Sequence, residues 1–236
     1  MNELFFELIQ VSTGQLDCLN RGPSPEEWQQ LYDLSKRHGL TALCYQGVVR
    51  LFEYGLRAPQ DLSIDWMADA EELGGAETVD HLISVPEISN PVRKRLIDKW
   101  ISNNSGSLYV YVDKQKTNTP SSAIVLKLIE AYESFHHGTL TMQHVVGCFD
   151  VLRQANGHFD TFTDGSSVSQ VLRKIGIWRF ARSMMWIVNH TMAFDATLMP
   201  CRPLEVGGRF VLQQITEEKV PLLERIKYRF WRFIKF

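Results

Sequence analysis

Two runs of apolar residues between positions 120 and 156 constrain the fold more strongly than any other part of the chain. Their spacing follows the α-helical repeat, so each run predicts one amphipathic helix. The first run is Ile124, Val125, Leu128, Ile129, Tyr132 and Phe135, and the second is Met142, Val145, Val146, Phe149 and Leu152. Gly138 lies between them and can take a positive φ at little steric cost. We therefore expect an antiparallel helical hairpin.

The ends of both predicted helices contain start and stop signals. We expect Pro120 to close the preceding loop and the Ser121 hydroxyl to accept hydrogen bonds from the first free backbone amides of the first helix. Thr141 can cap the second helix, and Asn156-Gly157 is a common helix stop. These signals place the hairpin between residues 120 and 156.

The composition excludes some classes of protein. With 236 residues and 44% hydrophobic content, the chain can form one sizeable core or two small ones. A net charge of −2 gives no broad basic surface, so we expect no specific nucleic-acid partner. The cysteines Cys18, Cys44, Cys148 and Cys201 form no CxxC pair. Such scattered thiols are typical of reduced, buried residues, so the predicted location is the cytoplasm.

The first residues, MNELFFELIQV, predict an amphipathic helix. Glu3 and Glu7 interrupt the apolar positions and no basic segment precedes them, so the stretch does not resemble a signal peptide. No apolar run approaches the ~20 residues that a membrane span requires. We therefore expect a protein without a transmembrane segment.

Helical patterns dominate the rest of the chain. A Ser24-Pro25-Glu26-Glu27 sequence predicts a capping box at the start of the second helix. Further helices are expected at about 41–52, 59–73, from Asn90-Pro91, 177–192, 204–216 and from 221 onward. In the helix from Asn90-Pro91, the residues expected to face inward are Val92, Leu96, Trp100 and Ile101. Strands are expected at 79–83 and 107–112, and residues 114–119 are expected to form a loop.

The predicted fold is therefore mainly α, a helical bundle with a small residual β-sheet. We divide the chain into an N-terminal helical region (1–73), a residual strand–helix–strand segment (74–119) and a C-terminal helical region (120–236). All three are expected to form one compact unit.

Four stretches of the chain resemble one protein family. They are MNELFFELIQVS with EEWQQLYDLSKRHGLTALCYQGVVRL, then VDHLISVPEISNPVRKRLIDKW, then the hairpin with its Phe-His-x-Gly turn, and lastly IGIWRFARSMMWIVNHTMAF followed by GGRFVLQQI. Together they resemble the bacterial nucleotidyltransferase-like proteins of the DNA polymerase β superfamily. That resemblance implies a Gly-Gly or Gly-Ser turn before a strand with two acidic residues at i and i+2. It also implies a third carboxylate on a neighbouring strand. In enzymes of that superfamily the three carboxylates hold the Mg²⁺ ions that bridge the nucleotide phosphates.

The expected acidic pair is missing from this chain. Residues Gly74-Gly75 run within a few positions into Asp80, which matches the third carboxylate and is the remnant catalytic candidate. Asp69 and Glu71 are the only acidic residues spaced i, i+2, but they lie on a predicted helix, where such positions diverge. Asp113, after the 107–112 strand, has no second acid beside it.

Other candidates have simpler interpretations. Adjacent His136 and His137 diverge on a turn, which favours a helix-terminal role over metal binding. Gly74-Gly75 lacks a phosphate-binding motif and is interpreted as a helix stop, and no GxSxG motif indicates a nucleophile. The 93–95 run, Arg-Lys-Arg, is expected to be mostly solvated. Asp80 and His81 are either a remnant pair or a solvent-facing strand segment.

The C-terminal segment VPLLERIKYRFWRFIKF has a basic face with Arg225, Arg229 and Arg232. Its opposite face is apolar and aromatic, which suits a membrane surface or an acidic partner groove. The alternative is a terminal helix that packs on the protein and extends its arginines to solvent. Packing is favoured because one such helix binds bilayers only marginally without a second signal.

These patterns lead to three hypotheses. The first is a catalytically degenerate nucleotidyltransferase-like protein that binds an unknown protein or small molecule and requires no cofactor. The second is an active nucleotidyltransferase that uses Mg²⁺ and a nucleoside triphosphate at a rearranged site around Asp80. The third is a peripheral protein that docks through residues 221–236.

Overall fold

Helices make up most of the computed structural model, which describes residues 3–74, 83–112 and 115–216. The helices are α1 (Glu3–Thr13), α2 (Pro25–Arg37), α3 (Thr41–Glu53), α4 (Gln60–Gly74), α5 (Pro91–Asn103), α6 (Pro120–His137), α7 (Met142–Ala155), α8 (Val168–Lys174), α9 (Trp178–Met192) and α10 (Glu205–Thr216), with a short 3₁₀ helix at Ala196–Leu198. The strands β1 (Tyr109–Val112) and β2 (Gln115–Asn118) form a two-stranded sheet. The prediction of a mainly α fold with a small sheet is confirmed. Within the described ranges, no helix combines the length and apolar character that a bilayer crossing requires.

The chain divides into two compact units. Among the described residues, the first unit contains 3–74 together with 141–143 and 190–193. The second contains 83–112, 115–140, 144–189 and 194–216. Each unit has its own buried apolar side chains.

In the first unit, α1 and α3 approach closely at Gly47. A Cβ atom at this position would overlap the Ser12 hydroxyl and lie 3.1 Å from the carbonyl oxygen of Leu8. The Ser12 hydroxyl itself donates a 2.7 Å hydrogen bond to that carbonyl, which fixes its position. Gly47 therefore permits a helix contact that a larger residue would block.

The start of α2 and the inner face of α4 follow the predicted patterns. Ser24 and Glu27 form the expected capping box around Pro25. On α4, Trp66 is fully buried and its indole nitrogen donates a 3.1 Å hydrogen bond to the carbonyl oxygen of Thr41. The α4 residue Asp69 accepts a 2.5 Å hydrogen bond from the Tyr32 hydroxyl. Side chains of α4 therefore form hydrogen bonds with the backbone of α3 and with a side chain of α2.

In the second unit, α6 is buried on almost every side. Most of its residues between Ser121 and Glu133 are inaccessible, including four aliphatic side chains of the predicted stripe. The helix ends at Gly138, which has a φ of 74°, as predicted. Its N-cap is Thr119, whose hydroxyl accepts from the amide of Ser122, so the expected cap at Ser121 is wrong by two positions. The cause is Pro120, which occupies the first helical position and leaves the cap to the preceding residue.

The α6–α7 hairpin is present. Ser134 on α6 and His144 on α7 are 2.9 Å apart at the turn end of the two helices. The stop at Asn156 and Gly157 is confirmed, because both residues have left-handed φ values of 45° and 79°. Residues 120–156 thus form the predicted helical hairpin.

Part of the sheet differs from the prediction. Residues 115–118, expected within a loop, form β2, which pairs antiparallel with β1 from Tyr109 opposite Asn118 to Val112 opposite Gln115. β2 is polar and has no alternating apolar pattern, because backbone pairing rather than burial defines this strand. The predicted strand at 79–83 lies outside the described residues except for Ile83, which is not in a strand.

The inward face of α5 also differs from the prediction. Asn90 caps the helix as expected, but Val92 and Leu96 are 64% and 41% exposed. The buried apolar residues of α5 are Ile97 and Trp100. Arg93 lies one turn before Ile97, on the same buried face of the helix. The basic Arg93 therefore faces inward where the apolar Val92 was expected.

Two further features differ from the prediction. The 157–167 segment leads into the short helix α8, which begins with a second capping box formed by Ser167 and Gln170. Cys18 is exposed in the loop after α1, whereas all four cysteines were expected to be buried. The three other thiols are buried, and burial raises their pKa values, to about 12 for Cys148 and Cys201.

Candidate functional site

Several of the predicted site residues lie outside the described ranges. They are Gly75, Asp80, His81, Asp113, Arg225, Arg229 and Arg232. The hypotheses that depend on these residues stay predictions. The only acidic i, i+2 pair, Asp69 and Glu71, lies on α4 as expected. Asp69 interacts there with Tyr32 and with Lys36, whose ammonium nitrogen is 2.7 Å from its carboxylate.

The His136-His137 pair occupies the last turn of α6, which confirms the helix-terminal position. The His136 ring packs edge-on against Tyr132 with centroids 4.4 Å apart. His137 has its Nε2 atom 2.7 Å from the hydroxyl oxygen of Ser89. The end of α6 therefore contacts the loop that precedes α5.

Glu133 is the most unusual polar residue of this region, because its carboxylate is almost completely buried. One carboxylate oxygen accepts a 3.1 Å hydrogen bond from the backbone amide of Ser89. The other lies 3.5 Å from the guanidinium of Arg93. Only 6% of the Glu133 side chain and 15% of the Arg93 side chain are exposed. A buried carboxylate requires such partners, since an isolated one would be strongly unfavourable.

Arg93 contacts Tyr132 as well as Glu133. Its Nη2 atom donates a 3.0 Å hydrogen bond to the Tyr132 hydroxyl, and its guanidinium carbon is 4.3 Å from the centre of that ring. The prediction that the basic run of α5 is mostly solvated is therefore wrong for Arg93. The reason is its position on the face of α5 that also contains the buried Ile97 and Trp100.

A cavity of about 400 Å³ lies beside this cluster. Its lining includes the carboxylates of Glu87, Glu130 and Glu133 and the Ser89–His137 pair. Lys127 partly neutralises Glu130 at 2.9 Å, and Arg93 neutralises Glu133. Glu87 has no basic partner among residues 83–112 and 115–216. The three carboxylates of the cavity therefore outnumber the two cations that pair with them.

The cavity residues suit binding better than nucleophilic chemistry. Ser89 and His137 are within hydrogen-bonding distance, but activation of a serine also requires a third group that orients the histidine. No carboxylate forms that contact with His137 in the part of the chain that the structure describes. Nor does any group of three or more His, Cys, Asp or Glu side chains among those residues have an arrangement that could hold a metal ion.

The sequence contains a signal for this site that the apolar pattern alone does not reveal. Glu133 follows Tyr132 and lies four residues after Ile129, so it is placed on the apolar side of α6. An acidic residue within a buried stripe needs a cationic or amide partner, and that requirement predicts a polar cluster. The identity of the partners, Arg93 and Ser89, depends on contacts between distant segments and cannot be read from spacing.

Comparison of the chain with models of protein families, with curated proteins and with solved structures finds no match in any of the three.

Proposed function

We propose that this chain is a nucleotidyltransferase-like binding protein that does not transfer nucleotides, and that its ligand occupies the Glu133 cavity. The observation on which this proposal rests is the buried Glu133 carboxylate at the wall of an acidic cavity. Buried, hydrogen-bonded polar groups around a cavity are typical of ligand sites. The binding role also fits the sequence, because its only acidic pair spaced i, i+2, Asp69 and Glu71, lies on the helix α4, where the two side chains diverge.

The charges around the cavity define the class of ligand. Three carboxylates line it, whereas Arg93 and Lys127 supply two positive charges. The unbalanced carboxylate belongs to Glu87, which is exposed and available to a ligand. A small molecule with a protonated amine would neutralise Glu87, and the Ser89 hydroxyl and His137 offer further hydrogen bonds. We therefore propose an amine-bearing small molecule as the ligand.

Calorimetry with 1,4-diaminobutane and its neutral analogue 1,4-butanediol tests the proposal at low ionic strength. The diamine should bind and the diol should not. Glu87→Gln should weaken diamine binding by about fivefold or more, because one charge interaction near a protein surface contributes on the order of 1 kcal/mol. Asp98→Asn is the matched control, since Asp98 is an exposed acidic residue of α5 outside the cavity lining.

Two results would contradict the proposed ligand class. One is equal binding of the diamine and the diol, which would mean that the cavity does not recognise charge. The other is equal loss of affinity in Glu87→Gln and Asp98→Asn, which would indicate attraction by the general field of the protein.

The absence of nucleotidyl transfer needs a separate experiment. Calorimetry with a nonhydrolysable nucleoside triphosphate and Mg²⁺ should give no metal-dependent binding. Magnesium-dependent binding that Asp80→Ala abolishes would overturn this part of the proposal and support the rearranged active site. Binding that persists in Asp80→Ala would place the nucleotide elsewhere and would also count against the proposal.

A further inference from the structure

A second cavity of the same unit, about 440 Å³ in volume, lies between α5 and the segment that contains α8. Its lining differs from that of the Glu133 cavity in every residue. Trp100, Val171 and Ile175 provide buried apolar surface, and the partly exposed Leu96 adds to it. The cavity can therefore accept the apolar body of a small molecule.

Trp100 has an unsatisfied hydrogen-bond donor. Only 6% of the residue is exposed, and its indole Nε1–H has no acceptor among the described residues. Phe162 packs edge-on against the indole with centroids 5.2 Å apart, which orients the ring. A buried donor without an acceptor is costly. An acceptor atom supplied by a ligand would remove that cost after a small shift of the surrounding side chains.

The polar part of the cavity is basic. Lys99 and Lys174 line it together with the side-chain amide of Asn103 and the carboxylate of Asp164. Lys174 lies 3.6 Å from Asp164, whereas Lys99 has no acidic partner within the described ranges. One positive charge therefore remains without a partner at the cavity.

Asp164 is held in place as an anion. Ser166 donates to it through its backbone amide at 2.9 Å and through its hydroxyl at 2.5 Å. These hydrogen bonds hold the pKa of Asp164 below its usual value. Asp164 therefore continues to neutralise Lys174 at neutral pH, and the unbalanced charge is that of Lys99.

We propose that this second cavity binds a small molecule that combines an apolar, ring-sized body with one negative charge. The ring lies against Trp100, and the anionic group lies beside Lys99 and gives the indole N–H an acceptor. Carboxylates and phosphate monoesters share this chemistry. The site is independent of the proposed amine site, because neither its residues nor its charge overlap with those of the Glu133 cavity.

The test uses three probes of one shape: benzoate, benzyl alcohol and benzylamine. Binding is followed through the indole N–H signals of the ¹⁵N-labelled chain, in which Trp100→Phe identifies the Trp100 signal. Benzoate should shift that signal downfield, as expected when the donor gains an acceptor. The neutral alcohol should bind more weakly, and the cationic amine should bind most weakly of the three.

Lys99→Met should weaken benzoate binding by about fivefold, since it removes the unbalanced charge but keeps a flexible, unbranched side chain. Lys94→Met is the matched control on α5, where Lys94 is exposed and does not line the cavity. It should leave the affinity unchanged.

Three outcomes would overturn the proposal. Equal binding of benzoate and benzyl alcohol would show that the cavity recognises only apolar shape. A benzoate-induced shift confined to other tryptophans would place the ligand elsewhere. Equal effects of Lys99→Met and Lys94→Met would show that general charge, rather than this site, determines the affinity. The same titration with phenyl phosphate in place of benzoate then shows whether the cavity prefers a phosphate monoester or a carboxylate.

Discussion

The carboxylate of Glu133 and the guanidinium of Arg93 form an ion pair between α6 and α5 at 3.5 Å, with 6% and 15% of the two side chains exposed. Each charge has one further polar contact, from the Ser89 amide to Glu133 and from Arg93 to the Tyr132 hydroxyl. Removal of either charge would leave the other buried without its principal partner. The pair therefore positions side chains of the candidate site and also contributes to the stability of the second unit.

Single substitutions in this pair should be more harmful than the double substitution. Glu133→Leu or Arg93→Met alone should lower the free energy of unfolding by about 3 kcal/mol, because each leaves an uncompensated buried charge. The double variant should lose less than the sum of the two, with a coupling energy of about 1–2 kcal/mol. Urea unfolding of the four proteins, followed by tryptophan fluorescence, measures this cycle.

The Lys127–Glu130 pair on α6 is the control for that cycle. Its nitrogen–oxygen distance is 2.9 Å, but 30% and 40% of the two side chains are exposed. Its coupling energy should be about 0.5 kcal/mol or less, as for other exposed pairs. Similar coupling energies for the two pairs would contradict the assignment of Arg93 and Glu133 as a desolvated pair.

His38 should make the first unit less stable in mild acid. Burial, with a smaller contribution from Arg37, lowers the pKa of His38 from 6.5 to about 4. Between these values the unfolded chain binds a proton that the folded chain does not, so stability falls as the pH decreases through this range. Above about 6.5 neither state is protonated and the contribution of His38 is constant.

Unfolding measurements at pH 7 and pH 4.5 test this effect. His38→Phe should reduce the difference in unfolding free energy between the two pH values, because phenylalanine keeps a ring beside Phe5 but does not titrate. Arg37→Gln should change that difference only slightly, since burial is the larger cause. If His38→Phe leaves the difference in unfolding free energy between pH 7 and pH 4.5 unchanged, the acid sensitivity arises from carboxylates and not from His38.

Two helical glycines should respond in opposite directions to alanine substitution. Gly47→Ala should destabilise the first unit by about 1–3 kcal/mol, because the new methyl group overlaps the Ser12 hydroxyl. Gly147→Ala, within α7, should stabilise the chain by about 0.5–1 kcal/mol. Its Cβ would lie 3.6 Å from the nearest atom of Lys127, an ordinary contact.

Thermal unfolding of the two variants measures this difference. Ser12→Ala combined with Gly47→Ala should recover part of the loss, because it removes the overlapping oxygen. Destabilisation of similar size in both glycine variants would mean that the close approach of α1 and α3 is not the cause.

Local patterns were sufficient for much of the fold. Ser24, Asn90 and Gly138 end or begin helices as predicted, because capping depends on residues that are neighbours in sequence. The apolar repeat of α6 also identified side chains that are buried in the structure. These features require no knowledge of the distant parts of the chain.

Features that depend on distant contacts were predicted less well. The apolar pattern of α5 placed Val92 and Leu96 inside, whereas the contacts of Arg93 with Tyr132 and Glu133 turn another face inward. The same contacts create the candidate site, so the inaccurate prediction of the inward face of α5 concealed Arg93, the partner of Glu133. β2 was missed for a related reason, since its partner and not its composition makes it a strand.

Because the buried thiols are distributed over both units, the rate of transient opening can be measured for each unit separately. Cys18 is exposed and should react at once with a bulky disulfide reagent, whereas Cys44, Cys148 and Cys201 are buried with raised pKa values. A buried thiol reacts only when its surroundings open. Modification of Cys44 therefore reports transient opening of the first unit, and modification of Cys148 and Cys201 reports that of the second. If Cys44 is modified at a different rate from Cys148 and Cys201, the two units open at different rates.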